Sequence, residues 1–300
     1  MKYLVTGGAG FIGSHLTERL LKDGHEVAVI DDFSEGKLEN LQVDNPSLSI
    51  YNRSILENIG NLFERVDTVF HLAASTRPQE SIKKPKLYNY INVEGTLNIL
   101  NNCHRHEVRR LVFVSSSSLY GTQESFPTSE SATPLPLSPY ALTKLIGEQY
   151  CKLFEKIYRL EANYIRPFNV FGTRQNPEGG YAAAVPKFID MLKNGGTPYI
   201  TGDGKQNRDF IFVEDVVDLM VLASESKVYG EAFNAGSGTN ITINNLYKMI
   251  CEIMNKDVKP DYVPAVLEPR TTLADMSKAK KLLGWKSKVS LRAGLERVIK

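Results

Sequence analysis

Tyr140 and Lys144 stand four residues apart directly after Pro139, in the run Pro139-Tyr140-Ala141-Leu142-Thr143-Lys144. On a helix that spacing puts phenol and ammonium on one face, one turn apart. A cation beside a phenol favours the phenolate and lowers its pKa from the usual value of about 10. The pair is then a general acid/base able to take a proton from a sugar or alcohol hydroxyl near neutral pH. Tyr-x-x-x-Lys alone is a common helical pair, and its company gives it meaning. Ser115-Ser116-Ser117-Ser118 closes the apolar run Leu111–Val114, at the end of a strand, where open α/β sheets place their ligands. A serine there can hydrogen-bond a substrate oxygen as hydride leaves its carbon.

Hydride transfer needs an acceptor, and the N-terminus supplies a cradle for one. Gly7-Gly8-Ala9-Gly10-Phe11-Ile12-Gly13 follows a first strand and opens a helix. Glycines let the turn be tight and let the backbone approach a pyrophosphate, which sits on the positive N-terminus of the helix. A second strand ends in Asp31, eighteen residues beyond Gly13, as a dinucleotide fingerprint requires. Asp31 or Asp32 can accept hydrogen bonds from the adenosine ribose, and a carboxylate there repels a 2′-phosphate. No Arg follows within five residues, although Lys37 comes slightly later, so NAD is favoured over NADP.

The elements that must position these groups can be read from hydrophobic patterning. Strands are predicted at Lys2–Thr6, Glu26–Asp31, Ser49–Asn52, Thr68–Leu72, Arg110–Ser115 and Asn163–Pro167. Helices are predicted at Ser14–Asp23, Asn58–Arg65, Lys86–His106 and Pro139–Arg159. Strands alternating with helices, and rich in Val, Ile, Phe and Leu, predict a parallel sheet covered on both faces. After about Val170 the pattern breaks into Gly, Pro and Asn clusters. A helix is expected at Ala182–Asn194, a strand-helix pair at Asp209–Ser224, a strand at Glu231–Ala235, and helices at Ile243–Met254 and Ser277–Leu283. The expected architecture is α/β: a Rossmann doubly wound parallel sheet formed by residues 1–168 plus 209–237, which binds NAD. A smaller, discontinuous C-terminal lobe of residues 169–208 plus 238–300 binds the substrate.

Composition narrows the function. Thirty-six Lys and Arg against thirty-four Asp and Glu leave +2 on 300 residues, with 42% hydrophobic and 23% charged. Bulk charge therefore excludes a nucleic-acid or membrane coat. No run approaches the roughly eighteen apolar residues of a membrane span, and the N-terminus lacks the apolar region of a signal peptide. Cys103, Cys151 and Cys251 read as reduced thiols, so the expected compartment is cytoplasmic. Cys103, His104 and His106 lack further ligands at suitable spacing, and no metal is expected. Leu142, Leu145, Ile146, Tyr150, Leu153, Phe154 and Ile157 follow helical period and are expected to be mostly core.

The ordered motifs resemble the extended short-chain dehydrogenase/reductases, in the NAD-dependent epimerase/dehydratase branch, and within it the UDP-glucose 4-epimerase group. They are Thr6–His15, His71-Leu72-Ala73-Ala74, Ser115–Gly121, Pro139-Tyr140…Lys144, Arg166-Pro167-Phe168-Asn169, Gly202-Asp203-Gly204…Arg208-Asp209 and Asp275…Lys278-Ala279…Leu283-Gly284-Trp285. They span nearly the whole chain. The resemblance implies that Tyr140 is the base, that Lys144 is its partner and holds the nicotinamide ribose, and that Ser116 is the catalytic serine. It lays Ala73 and Ala74 against the cofactor and uses Asn92 to position the motif around it. It assigns Asn169 and Arg208 to a nucleotide diphosphate, and Ala182–Phe188, Val185 included, to the flank of the uracil. It also implies a homodimer through a four-helix bundle built from helices of the Tyr90–Leu100 and Pro139–Ile157 regions.

Departures from the family pattern bear on the substrate. Dehydratases carry an Asp-Glu pair where this chain has Ser117 and Ser118, and decarboxylases carry a Glu at the second of these places. Dehydration of a 4-keto sugar then has no evident proton donor, and C4 epimerisation of a UDP-sugar needs none. Dehydratase, decarboxylase or reductase chemistry is the alternative within the family, and a non-catalytic dinucleotide sensor is the alternative outside it. Asn52 replaces an Asp that touches adenine, and Thr76 replaces a Lys near the nicotinamide. Arg270, as a second phosphate cation, sits in a shortened segment. Thr272 falls where the family limits the group at sugar C2, so a small side chain there implies room for an N-acetyl group.

Overall fold

Tyr3-Leu4-Val5-Thr6 is buried without interruption, which only a strand covered on both faces can be. The computed structural model describes residues 1–177 and 183–300. The first half runs β1 (Lys2–Thr6), α1 (Phe11–Lys22), β2 (Glu26–Asp31), β3 (Leu48–Asn52), β4 (Thr68–His71), α2 (Pro78–Lys83), α3 (Pro85–Asn89), α4 (Gly95–Arg105), β5 (Arg110–Val114), α5 (Pro139–Tyr158) and β6 (Glu161–Pro167). The second runs β7 (Asn169–Phe171), α6 (Ala184–Lys193), β8 (Tyr199–Thr201), β9 (Asn207–Arg208), β10 (Phe210–Phe212), α7 (Val213–Glu225), β11 (Ala232–Ala235), β12 (Ile241–Thr242), α8 (Ile243–Met254), β13 (Asp261–Val263), α9 (Ser277–Leu283) and α10 (Leu291–Ile299).

Seven strands form one sheet in the order β11-β6-β5-β4-β1-β2-β3. β1 through β6 pair in parallel, with Val5 opposite Val29 and Phe70, and Phe70 opposite Val112. This is the Rossmann doubly wound arrangement expected from the sequence. The order reverses between β1 and β4, and ligands of such sheets bind beyond the strand ends at that reversal. One face is packed by a cluster that includes Leu4, Ile30, Phe63, Ile99, Leu111 and Phe113.

Contacts divide the chain into two compact units. The first comprises Met1–Ser116, Ser138–Arg166 and Val217–Phe233. The second comprises Ser117–Leu137, Pro167–Val216 and Asn234–Lys300. The second unit holds three strand pairs: β7 with β10 and β8 with β13, both parallel, and β9 with β12, antiparallel. Within it Trp285 donates its indole N–H to Asp215 O at 3.1 Å, and the Asp215 carboxylate accepts from the N–H groups of Lys288 and Val289. These bonds tie the segment leading into α10 to the start of α7.

Several expected elements take a different form. Asn58–Arg65 is a short 3₁₀ turn, Gly60–Phe63, rather than a helix. Gly60 faces Asn102 there, and a Cβ on it would lie 3.1 Å from Asn102 Oδ1. The long helix expected over Lys86–His106 is broken by one π-helical turn, Tyr90–Glu94, between α3 and α4. α2 and α10 are two helices beyond those expected. Ala182 lies outside the described residues, and the helix expected there is seen from Ala184.

The largest correction concerns α5. Of its expected apolar core stripe only Phe154 is buried, while Leu142, Leu153 and Ile157 are 46%, 46% and 56% exposed. The helix instead buries Thr143, Lys144, Gly147, Glu148 and Cys151. Glu148 accepts a bidentate pair from Arg166 on β6, at 2.8 Å to Nε and 2.7 Å to Nη2. That geometry lets two charges be hidden from water together. Cys103, Cys151 and Cys251 are buried, free thiols. Among the described residues no helix is long and apolar enough to cross a membrane.

Candidate active site

The glycine turn leaves β1 at the point where the strand order reverses. Gly7 has φ +70°, and a Cβ on it would lie 2.8 Å from the Ala73 nitrogen. Only glycine lets the turn press against the backbone that leaves β4. A Cβ on Gly13 would overlap the Gly7 carbonyl oxygen, so this residue lets α1 begin directly on the turn. α1 opens at Phe11 and Ile12 with Gly10 as its N-cap and no side-chain cap. An uncapped helix N-terminus with backbone this close is suited to a pyrophosphate.

Asp31 and Asp32 separate clearly. Asp31 is buried and accepts from Ala9 N–H at 2.8 Å and from Phe33 N–H at 2.9 Å. Burial raises its carboxyl, and those N–H bonds offset part of the effect. Each carboxylate oxygen has further lone pairs for a ribose hydroxyl. Asp32 is exposed and turns to Ser34, accepting from its N–H and its hydroxyl. Asp31 is therefore the acid that faces the glycine turn.

From the turn a line of hydrogen bonds runs to α5. Thr6 Oγ1 accepts the N–H groups of Leu72 and Ala73, both at 3.2 Å. Its one proton thus goes to His71 Nδ1, 2.7 Å away. The His71 proton then sits on Nε2 and points at Thr96 Oγ1, 2.9 Å away, and Thr96 donates to Asn92 O at 2.6 Å. Burial first, and Lys144 second, push His71 down to about 3, so it is neutral. The π-helical turn aims Asn92 inward. It clasps Ser75 through N–H and carbonyl, at 2.8 and 3.0 Å, and donates to Thr143 Oγ1 at 2.9 Å. Thr143 in turn donates to Tyr140 O at 2.8 Å. Ala73 and Ala74 occupy the partly exposed stretch just before Ser75.

α5 begins where Ser138 caps it, accepting from Ala141 N–H, with Pro139 in the first turn. Tyr140 donates its N–H to Ser81 Oγ at 3.0 Å, and its phenol shares a hydrogen bond with Ser116. Lys144 donates Nζ to Val114 O at 2.8 Å and lies over the Phe113 ring. Ser116, Tyr140 and Lys144 are thus gathered at the end of β5 and the start of α5. The expectation that Lys144 lowers the phenol is not met. Burial raises Tyr140, and the Ser116 bond is the opposing influence. Lys144 itself is brought down to about 8, by burial, with Cys151 and Glu148 opposing. Loss of water dominates the shift of both groups.

The second unit gathers a different set. Asn169 donates Nδ2 to Asp209 O at 2.9 Å and to Thr272 Oγ1 at 3.4 Å. β9 is bracketed by the segment holding Arg270 and Thr272: Asn207 N–H donates to Arg270 O, and Thr272 N–H to Asn207 O. Arg208 is largely buried, and its Nη2 lies 2.8 Å from Glu268 Oε2 as an ion pair without hydrogen-bond alignment. Arg270 is exposed and pairs with Asp203 through both nitrogens, at 2.7 and 2.8 Å, which holds Asp203 well below the usual carboxylate range. Val185 is buried in the first turn of α6. Asn169, Arg208, Arg270 and Thr272 are therefore brought together, and both arginines already hold carboxylates.

Comparison with known proteins decides the family. The profile of the NAD dependent epimerase/dehydratase family matches residues 3–236. The chain belongs to that family. It is 37% identical to UDP-glucose 4-epimerase with UDP-glucose from Thermotoga maritima, over 100% of this chain and 97% of that one, with a TM-score of 0.95. It is 34% identical to UDP-N-acetylglucosamine 4-epimerase from Methanobrevibacter ruminantium in complex with UDP-N-acetylmuramic acid, over 99% and 96%, at 0.95. It is 35% identical to UDP-glucuronic acid 4-epimerase from Bacillus cereus in complex with UDP-glucuronic acid and NAD, over 100% and 98%, at 0.94. NAD is the cofactor of this epimerase/dehydratase family, and the glycine turn and Asp31 fit it.

Sequence reasoning missed several residues that shape the site of this family member. Thr96, Thr143 and Ser81 carry no motif of their own and act only through partners distant in sequence. Asp209 stands in a family motif without an assigned role, and the fold supplies one: it is fully buried and gathers four donors, from Ser237 N–H and hydroxyl, Gly238 N–H and Ala274 N–H. Glu268 could be found only from the fold, as could the pairing of the motif residue Asp203 with Arg270.

The buried ammonium leads to a stability prediction. Lys144 falls from an ordinary 10.5 to about 8, so between those values the unfolded chain binds more protons and stability rises with pH. Below about pH 8 the folded protein carries the full cost of the buried charge. Lys144→Met is expected to stabilise the fold by about 2 kcal/mol at pH 7. The gain should shrink toward pH 10. Urea unfolding at both pH values checks this, and a loss of stability at pH 7 refutes it.

Proposed function

We propose that this chain is a NAD-dependent UDP-sugar 4-epimerase, an isomerase that inverts C4 of UDP-glucose/UDP-galactose and accommodates UDP-N-acetylhexosamines. The observation that carries the reading is the buried grouping of Ser116, Tyr140 and Lys144, in a chain with serines at 117 and 118 where dehydratases carry acids. NAD, when bound, supplies a reversible acceptor for a hydride. Tyr140 as phenolate takes the C4 hydroxyl proton and later returns it. Ser116 hydrogen-bonds the same oxygen and so steers the proton to the phenol. Lys144, charged below about pH 8, holds the nicotinamide ribose. The 4-keto sugar turns about its diphosphate linkage and is reduced on the other face, with no net consumption of NAD. Gly7, Gly10, Phe11, Ile12, Gly13, Asp31, Ala73, Ala74 and Asn92 serve the cofactor, Asp32 at most from the rim.

Asn169 and Arg208 hold the diphosphate in this reading, with Arg270 as a second cation, Val185 near the uracil, and Thr272 beside the sugar. The functional divisions in this reading are residues 1–168 plus 209–237 and residues 169–208 plus 238–300; the compact units differ from them in grouping 117–137, 167–168, 209–216 and 234–237 with the second. The site works in the cytoplasm, consistent with three reduced, buried cysteines. The exposed apolar face of α5, with a groove of about 340 Å³ lined by Leu145, Ile146, Gln149, Tyr150 and Leu153, receives the same face of a second copy in a four-helix bundle.

Proton NMR of the protein with UDP-glucose, UDP-N-acetylglucosamine or UDP-glucuronate is expected to show the anomeric signal of the C4 epimer without net NADH. Tyr140→Phe should reduce kcat about a thousandfold. A 4-keto-6-deoxy or pentose product would refute the assignment. For the diphosphate, calorimetry with UDP should find binding weakened more than tenfold by Arg208→Ala and strengthened about threefold by Glu268→Gln. Equal affinities for all three proteins would remove Arg208 from that role. Light scattering should report a dimer, and a monomer for Leu153→Asp; a monomeric parent excludes the bundle.

A further inference from the structure

Strand order decides what can lie over the glycine turn. β1 sits between β2 and β4, so the loops leaving β2 and β4 flank the turn that leaves β1. Their strands are two spacings apart, about 10 Å. Any direct link between those loops must cross above the end of β1.

The loop after β2 is laid on the turn itself. A Cβ on Gly36 would lie 2.7 Å from Asp31 Oδ1 and 3.0 Å from the Ala9 carbonyl carbon. Lys37 N–H donates to Ala9 O at 3.1 Å, and Asn40 Nδ2 to the same oxygen at 2.9 Å. Glu35 stands next to this contact. On the other side Arg77 follows β4 and precedes α2. Its N–H donates to Tyr88 OH at 3.2 Å, and its Nη1 lies 3.9 Å from Glu80 Oε2. Its Nη2 donates to Glu35 Oε2 at 2.6 Å. This ion pair joins the two flanking loops, one anchored on Ala9 and the other on α2 and α3.

We propose that Glu35 and Arg77 form a strap across the glycine turn that retains NAD. A redox-neutral cycle gives such a strap a purpose, because a sugar oxidised by one cofactor must be reduced by the same one. The guanidinium is 29% exposed and the carboxylate 58%, so the strap opens readily and its contribution is modest and salt-sensitive.

The test uses holoenzyme diluted into NAD-free buffer at low ionic strength, with released NAD assayed by enzymatic cycling. A preparation free of NAD is read by calorimetric affinity for NAD instead. Glu35→Gln and Arg77→Gln are each expected to speed release about three- to fivefold. The double variant should release no faster than either single, because both remove one interaction. High salt should speed the parent and leave the variants unchanged. Unaltered release in both singles overturns the proposal. Multiplying effects in the double overturn it as well. Faster release by Arg77→Gln with slower release by Glu35→Gln would mean that Arg77 acts on the phosphates alone, which also refutes the strap. Thermal melts of the variants confirm that they are folded.

Discussion

A lysine ammonium removed from water must be held by carbonyls and nearby negative charge, or it loses its proton. The orientation of α5 follows from that constraint. To lay Lys144 against Val114 O, the helix turns its polar residues inward. Tyr140 one turn earlier and Glu148 one turn later are buried with it, and Glu148 brings Arg166 into the interior as its bidentate partner. The apolar side of the same helix is thereby left outside, with Leu142, Leu153 and Ile157 in solvent. One buried charge thus sets the reactive face, the internal ion pair and the exposed surface of a 20-residue helix.

The second constraint is steric. Gly7 lies so close to Ala73 that a Cβ on it would meet the Ala73 backbone, and this approach places the backbone after β4 beside the cofactor turn. From there Thr6, His71, Thr96, Asn92 and Thr143 pass the geometry on to the main chain of Tyr140. His71 suits this role because it is neutral: each ring nitrogen has one fixed function, so the direction of every hydrogen bond is determined. The π-helical turn supplies the residue that redirects Asn92, as such turns often do at functional sites.

Much of this is legible in the sequence, and what is not has identifiable reasons. Strand, glycine turn, helix and Asp31 lie within thirty-odd residues, and the Tyr140–Lys144 spacing is local; local signals survive without a fold. The burial of α5 escapes the sequence because helical period reports an apolar stripe and not which way it points. The 3₁₀ turn at Gly60 and the π-helical turn at Tyr90–Glu94 alter hydrogen bonding without altering the hydrophobic pattern. α10, which Ser290 caps, is only nine residues long, so its apolar positions Leu291, Leu295 and Val298 span barely two turns and are easily passed over at the end of the sequence. The partners Glu148 with Arg166, Arg208 with Glu268, and Arg270 with Asp203 are each separated by eighteen to sixty-seven residues, and only the folded chain brings them together.

The two arginines read as phosphate cations are not equivalent. Arg270 and Asp203 are both exposed and meet with two aligned hydrogen bonds. A ligand there must displace a well-made pair that water screens, and it gains little in exchange. Arg208 is largely buried, and its contact with Glu268 is close but poorly aligned. A buried guanidinium needs some anion, and a misaligned carboxylate satisfies its charge while leaving Nη2 without a hydrogen bond, Nη1 being held by Asn207 O at 2.8 Å. A diphosphate offers both charge and aligned acceptors, so exchange at Arg208 gains more than exchange at Arg270. On the proposed reading, a chain of formal charge +2 holds a doubly charged ligand without a basic patch, because the cation assigned to it, Arg208, is desolvated and its own counter-ion fits it imperfectly.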